Sequence, residues 1–204
     1  MRDGFLKIGL LPAILIFIMI AFEPPGVSLP SLCAAVIHEC GHLLAARLLG
    51  IELRSLDIGP LGATIRTRGS LISYGKEWLL CVAGPAANLV SASAAYIFCR
   101  IGGKMYTDST AFGFLSVSLM LALLNLLPVE GFDGGRMLSC AVGSLAGPRA
   151  ASVLLEICSV LSVCGLWMLS IYLLLRWGSS LSLFVFSASV FYRIFVESNK
   201  KQDF

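Results

Sequence analysis

Residues 27 to 49, VSLPSLCAAVIHECGHLLAARLL, form an apolar run that is long enough to cross a membrane, yet three ionisable side chains lie near its middle. These are His38, Glu39 and His42, and the two histidines are the only ones in the chain. Residues four apart on a helix lie about 40° apart around the axis and roughly 6 Å along it, so both rings can reach one ion. Glu39 lies beside them, where a carboxylate can accept a proton from water.

The composition indicates an integral membrane protein. Of the 204 residues, 57% are hydrophobic and 13% are charged, whereas soluble domains have about 25% charged residues. The mean hydropathy is +0.88. The net charge of +3 is small, and the basic residues of the chain fall at the ends of apolar runs. This pattern predicts a lipid bilayer as the environment and no nucleic-acid partner.

We predict an all-α polytopic membrane protein with about six transmembrane helices in a single domain that covers residues 1–204. The expected spans are about Phe5 to Phe22, Val27 to Leu49, Trp78 to Cys99, Ala111 to Leu127, Ala151 to Leu175 and Ser179 to Val196.

Two segments depart from this helical pattern. Ile51 to Gly69 alternates apolar and polar residues around a Gly-Pro turn, which predicts a short membrane-associated β-hairpin after the second span. Gly84-Pro85 interrupts the third span, and proline lacks a backbone donor and clashes with the preceding turn. We therefore expect the third helix to bend or break there.

The positive charges predict the orientation of the chain. Of the 15 lysines and arginines, twelve fall on the side that holds both termini under the six-span model, and three fall on the other side. The positive-inside rule then assigns both termini, the hairpin and the loop after the fourth span to the cytoplasm. Asp133 is expected on the same side as the inner half of the second span, where His42 lies.

A histidine pair needs at least one more ligand, because a catalytic zinc site has three protein ligands and a water. Each unpaired charge at mid-membrane costs about 3 kcal/mol, so a buried His/Glu/His cluster implies a metal or a water-filled cavity. Asp133 and Glu130, after the fourth span, are the candidate third ligands. From the chemistry alone, Asp133 could equally be a solvated turn residue, because Asp-Gly-Gly is a common turn sequence. Cys40 projects from another face of the helix. Glu156 in the fifth span is expected to cap a helix or to pair structurally, for instance with Arg149, rather than to join the site.

Three motifs occur in order along the chain: His38-Glu39-Cys40-Gly41-His42, then Gly84-Pro85-Ala86-Ala87-Asn88, and then Asn125-Leu126-Leu127-Pro128 with Asp133-Gly134-Gly135. They resemble the HExxH, GPxxN and NxxPx4DG elements of the site-2 proteases, the zinc intramembrane metalloproteases. The resemblance covers a catalytic core of about residues 30–140. The additional predicted helices, at about 5–22, 151–175 and 179–196, resemble the family only in being hydrophobic.

The resemblance implies roles for individual residues. It implies one zinc ion per chain on His38, His42 and Asp133, with Glu39 as the general base. Asn125 would hold the substrate backbone or the developing oxyanion. The residues implied to shape a helix break beside the site are Gly84, Pro85 and Asn88. Many relatives have proline where this chain has Glu130-Gly131, so Glu130 stays open as a competing ligand.

The implied function is zinc-dependent hydrolysis of a peptide bond in or near a transmembrane segment of a substrate protein. The resemblance also implies a membrane-spanning substrate, a regulatory partner and a prokaryotic cell membrane, with no PDZ or CBS domain in the sequence. Two alternative functions were considered. A non-catalytic helix-binding protein of the same fold would be expected to have a degenerate motif, whereas the motif here is intact. A metal transporter would be expected to have ligands distributed along its spans, whereas the polar residues here converge on one site.

Overall fold

The computed structural model describes residues 6–8, 25–59, 62–67, 72–102 and 109–177. Within these ranges lie three strands and five helices: β1 (Leu6–Ile8), α1 (Pro25–Leu48), β2 (Leu53–Gly59), β3 (Gly62–Thr67), α2 (Tyr74–Ile101), α3 (Ser109–Asn125), α4 (Asp133–Ala146) and α5 (Pro148–Trp177). Most of the predicted first span, from residue 9 to 22, and the whole of the predicted sixth span lie outside the described residues.

The three strands form one sheet in the order β1-β2-β3. β1 pairs parallel to β2, with Leu6 opposite Leu56, and β2 pairs antiparallel to β3, with Gly59 opposite Gly62. β2 and β3 fall within the segment 51–69, to which a hairpin was assigned. Leu6–Ile8 were expected to begin the first span, and this was wrong: they form a strand because their backbone bonds to β2 rather than to its own next turn.

Three of the described helices are long and apolar enough to cross a membrane. They are Ser28–Leu48, Tyr74–Ile101 and Pro148–Tyr172, and they coincide with the predicted second, third and fifth spans. The helix at Thr110–Asn125 is also apolar but shorter. In the helix Pro148–Tyr172, only 17% of the most apolar 18-residue stretch is buried within the protein. Most of its apolar surface therefore faces outward, as expected for a membrane protein.

The chain divides into two compact units, Met1–Asn125 and Leu126–Phe204. In the described part of the first unit, α1, α2 and α3 pack against one another in every pairwise combination. In the second, α4 packs against α5 around a small apolar core of Val129, Phe132 and Val163. The prediction of a single domain stays a prediction.

A bend or a break was expected at Gly84-Pro85, and the break is wrong, because α2 runs continuously through Pro85. Proline clashes with a Cβ on the residue before it, and here that residue is Gly84, which has none. Pro85 is also completely buried, so tertiary packing offsets the backbone hydrogen bond that the ring removes. Because the helix is continuous, residues 80, 84 and 88 lie along one face.

α4 is a helix that the sequence analysis did not predict. Its residues follow the fourth predicted span, where the sequence analysis expected only a cytoplasmic loop. Glycine lowers helix propensity by about 1 kcal/mol per residue, and three glycines occur within its 14 residues. Gly134, Gly135 and Gly143 are nevertheless buried in the folded chain. Their lack of a side chain permits close packing, and this packing outweighs the low propensity.

Candidate metal centre

His38 and His42 lie one turn apart on α1 and are both buried, with 5% and 7% of their surfaces exposed. Their Nε2 atoms lie 3.2 Å apart. The ring centroids are 4.8 Å apart, and the ring planes are nearly perpendicular, at 81°. The i, i+4 spacing thus brings one nitrogen of each ring to a common point.

The hydrogen bond of His42 fixes where its proton lies. Nδ1 of His42 is 2.8 Å from the carbonyl oxygen of Leu80 on α2. A carbonyl oxygen only accepts, so Nδ1 of the neutral ring carries the proton and donates it. Nε2 of His42 then has a free lone pair, which is the form in which histidine binds a metal.

The separation of the two Nε2 atoms fits a tetrahedral zinc ion. Two zinc–nitrogen bonds of about 2.05 Å at the tetrahedral angle place their nitrogens about 3.3 Å apart, and the observed separation is 3.2 Å. A soft or borderline cation with imidazole ligands suits a buried, largely apolar position. The histidine pair therefore matches the nitrogen half of a zinc site in both distance and chemistry.

Small residues bring α1 and α2 close enough to build this arrangement. A Cβ atom on Gly41 would lie 2.5 Å from the carbonyl oxygen of Ala83 and 2.8 Å from Cβ of Ala87. A Cβ on Gly84 would overlap the ring of His42 and lie 2.8 Å from Nε2 of His38. Close contact between helices through small residues is typical of membrane proteins. Gly84 in particular leaves the space that the two rings occupy.

Asn88 of α2 contacts the histidine pair through its polar side chain. It is completely buried, and its Nδ2 lies 3.2 Å from Nδ1 of His38. The GPxxN segment thus contributes through its glycine and its asparagine, with no helix break. The carbonyl of Leu80 was not identified from the sequence, because a backbone acceptor has no residue-type signal.

Glu39 and Cys40 follow His38 on α1 but differ in their surroundings. Glu39 is half-buried, and its Oε2 atom is shielded from solvent. Cys40 is exposed, so it projects away from the buried histidines, as its position on the helix predicts. Among these two, only Glu39 presents a ligand-type atom to the protein interior.

Asp133 belongs to the second unit, where it is the first residue of α4. It is buried, with 8% of its surface exposed. A carboxylate in the first turn is stabilised by the helix dipole. A Cβ on Gly134 would overlap the carbonyl oxygen of Leu126, and one on Gly135 would overlap that of Val129. The two glycines therefore let the preceding turn fold onto the start of α4 and hold Asp133 in a buried position.

Ser159 fixes the same turn from α5, and the sequence analysis missed it. It is 1% exposed, and its Oγ accepts from the backbone N–H of Glu130 at 2.9 Å and donates to the carbonyl of Pro128 at 3.5 Å. Gly131 follows with a φ of 92°, a conformation that favours glycine. No sequence motif marks Ser159, since an isolated serine in an apolar helix is common.

The remaining candidate residues are more exposed. Glu130 and Glu156 are both exposed, which distinguishes them from Asp133. Asn125 ends α3 and is half-buried, and its Nδ2 donates to the carbonyl of Leu121 at 3.0 Å. One of the two amide hydrogens of Asn125 is used in this bond.

Comparisons with known proteins find a matching family and several similar proteins. The model of the family "Peptidase family M50" matches residues 31–114. The chain is 28% identical over 123 residues to a candidate zinc metalloprotease of Synechocystis sp., and 28% identical over 134 residues to a candidate zinc metalloprotease, Rip3, of Mycobacterium tuberculosis. It is 25% identical over 112 residues to stage IV sporulation protein FB of Bacillus subtilis.

These curated relatives are longer than the matched region. The matches cover 60%, 64% and 52% of this chain, but 32%, 33% and 37% of the respective relatives. The aligned segment thus spans about a third of each relative.

The fold matches a solved site-2 protease. The structure of the site-2 protease from Methanocaldococcus jannaschii superimposes with a TM-score of 0.68, covering 97% of this chain and 93% of that one at 15% identity. At this identity the likeness concerns the fold. The chain thus resembles the site-2 proteases of peptidase family M50, in sequence over residues 31–114 and in fold.

Proposed function

We propose that this protein is a zinc-dependent intramembrane endopeptidase, which hydrolyses a peptide bond in or near a transmembrane segment of a substrate protein. The observation that carries the proposal is the pair of buried Nε2 atoms, 3.2 Å apart within an HExxH motif. The match to peptidase family M50 supports the same chemistry. The apolar helices α1, α2 and α5 support a location in the membrane.

The proposed zinc ligands are His38, His42 and Asp133. All three are buried, and each offers one ligand atom. Two imidazoles and one carboxylate form a ligand set that catalytic zinc sites use, with the fourth position left for water or substrate. The burial of Asp133 and the exposure of Glu130 and Glu156 favour Asp133 as the carboxylate.

Glu39 is the proposed general base. A zinc ion held there would supply Lewis acidity, which polarises a carbonyl and lowers the pKa of a bound water to about 7. Glu39 directly follows His38, and its shielded Oε2 atom is suited to take up the proton of the attacking water and then deliver it to the leaving amine. Asn125, with one amide hydrogen left after its bond to Leu121, is proposed to donate to the substrate carbonyl.

The proposed substrate is a membrane-spanning protein whose helix unwinds locally, since helical hydrogen bonds shield the scissile carbonyl. β3 is one of the two edge strands of the described sheet, the other being β1, and an edge strand can pair with an extended peptide. We propose that the hairpin lies at the membrane and guides the unwound segment. We further propose a multi-pass topology in a prokaryotic membrane, with both termini in the cytoplasm and one catalytic domain.

A reconstituted cleavage assay tests this function. The purified chain is placed in liposomes with a test protein that has one transmembrane helix, and cleavage is followed by mass spectrometry. We expect zinc-dependent cleavage within or next to the helix by the wild-type chain. The Glu39→Gln variant should retain zinc and lose cleavage. Cleavage by the variant at the wild-type rate would contradict the proposed mechanism.

A further inference from the structure

Leu80, Gly84 and Asn88 are spaced four residues apart and line one face of α2. Each contacts the histidine pair of α1. The carbonyl of Leu80 accepts from Nδ1 of His42, and Gly84 leaves room for both rings. Asn88 lies 3.2 Å from Nδ1 of His38. The same face of α2 thus contacts the Nδ1 atom of each ring, on the side away from the paired Nε2 atoms.

The two ends of the Asn88 side chain differ in their contacts. Nδ2 faces His38, while Oδ1 is buried and has no hydrogen-bond partner among the residues that the structure describes. An unsatisfied buried acceptor is unfavourable, because it has given up its hydrogen bonds to water without replacing them. The oxygen and nitrogen of an amide have nearly the same size, so a half-turn about χ2 exchanges them without disturbing the surrounding side chains.

The orientation of the amide is linked to the proton of His38. If Nε2 of His38 binds a cation, that atom needs its lone pair, and the ring proton must lie on Nδ1. Nδ1–H is a donor and needs an acceptor opposite it. Asn88 provides one when Oδ1, rather than Nδ2, faces the ring. The carbonyl of Leu80 already fulfils this role for His42.

We propose that Asn88 is a positioning residue for His38: its Oδ1 accepts the Nδ1 proton of His38 and so holds Nε2 as a metal ligand. α2 would then supply both outer partners of the histidine pair, one from its backbone and one from a side chain. Outer partners of this kind set the tautomer and basicity of a metal-binding histidine, and their loss weakens metal affinity 10–100-fold. This inference rests on the proposed zinc site, and it deepens that proposal.

The test uses the full chain in lipid nanodiscs, labelled with ¹⁵N-histidine and loaded with zinc. Because the chain has 2 histidines, the spectrum contains two rings, and a His38→Gln variant assigns them. The comparison uses Asn88→Asp, a charged acceptor of the same shape, and Asn88→Leu, which has no acceptor. Ser91→Ala is the matched control, since the Ser91 hydroxyl donates to the backbone carbonyl of Asn88 and not to its side-chain amide.

We expect a graded response at one proton. A charged acceptor makes a shorter and stronger hydrogen bond than an amide, so the Nδ1 proton of His38 should move downfield in Asn88→Asp and upfield in Asn88→Leu. The Nδ1 proton of His42 should keep its position in every variant. Zinc affinity, measured by chelator competition, should fall 10–100-fold in Asn88→Leu and be retained in Asn88→Asp and Ser91→Ala.

Two results would overturn the proposal: a His38 proton that does not respond to these substitutions, or an Asn88→Asp variant that loses zinc as Asn88→Leu does. If Asn88→Leu fails to fold, Asn88→Asp alone decides, through its downfield shift and retained affinity. A wild-type chain that binds no zinc would overturn the proposed function together with this inference. A chain that binds zinc and cleaves substrate, with an unresponsive His38 proton, would overturn this inference alone.

Discussion

Nε2 of His42 lies 3.2 Å from Nε2 of His38, one turn away on the same helix. Because the carbonyl of Leu80 holds the proton of His42 on Nδ1, the lone pair on Nε2 of His42 is directed toward its neighbour. A second lone pair at this distance would repel it unless a proton or a cation lay between the two nitrogens. A zinc ion held by the two rings would relieve this repulsion and link the two turns of α1.

Zinc binding should therefore stabilise the fold. At a free zinc concentration 100 times the dissociation constant, mass action adds about 2.7 kcal/mol to the free energy of unfolding. We expect the melting temperature of the chelator-treated chain in nanodiscs to rise when zinc is restored. The double variant His38→Gln/His42→Gln is the control, and an equal rise in that variant would mean that the stabilising zinc binds elsewhere.

Gly84→Ala should weaken zinc binding strongly. The added methyl group would overlap the His42 ring and lie 2.8 Å from Nε2 of His38. Overpacking of this kind costs about 1–3 kcal/mol, which corresponds to a loss of roughly 5- to 150-fold in affinity if the strain falls on the rings. Zinc affinity by chelator competition provides the measurement.

Gly75→Ala is the matched control for that substitution. Gly75 lies in the same helix, and a Cβ there would meet no atom within 4 Å. Its affinity for zinc should equal that of the wild-type chain. Equal affinities in Gly84→Ala and Gly75→Ala would show that Gly84 does not set the space for the rings.

Ser159→Ala should loosen the turn that precedes Asp133. The substitution removes the acceptor of the Glu130 N–H, and an unsatisfied group of this kind costs about 1–3 kcal/mol. We expect faster hydrogen exchange at the Glu130 amide and a lower melting temperature. Ser152→Ala is the control, because the Ser152 hydroxyl is exposed and bonds within its own helix. Unchanged exchange at Glu130 would contradict this role for Ser159.

Cys40→Ala should leave zinc affinity unchanged. Cys40 lies between the two histidines in sequence but is exposed. A thiolate ligand would give cobalt-substituted protein an intense sulfur-to-metal absorption band. We expect the same cobalt spectrum from the wild-type chain and the variant, and a spectrum that changes on substitution would assign Cys40 as a ligand.

The local part of the site could be predicted from the sequence because its geometry follows from helical pitch. The spacing of His38 and His42 predicts that both rings lie on one face, and the structure brings their Nε2 atoms together. The exposed position of Cys40 follows from the same argument. In each case the relevant distance is set within one turn of one helix.

The contacts between helices could not be predicted in the same way. The acceptor for His42 is a backbone carbonyl, which every residue has, so Leu80 carries no distinguishing signal. Ser159 acts across the fold on a turn 29 residues away in sequence. The continuity of α2 through Pro85 depends on Gly84 and on burial, and the propensity of proline alone gave the wrong expectation. These features arise from packing, which local sequence patterns do not record.

The number of zinc ions per chain tests the central claim most directly. Elemental analysis of the purified chain should find about one zinc ion per chain in the wild type and in Glu39→Gln. It should find almost none in His42→Gln and in Asp133→Asn, because each substitution removes one of the three proposed ligands. A wild-type chain without zinc, or an Asp133→Asn variant that retains the full complement after dialysis, would contradict the proposed site.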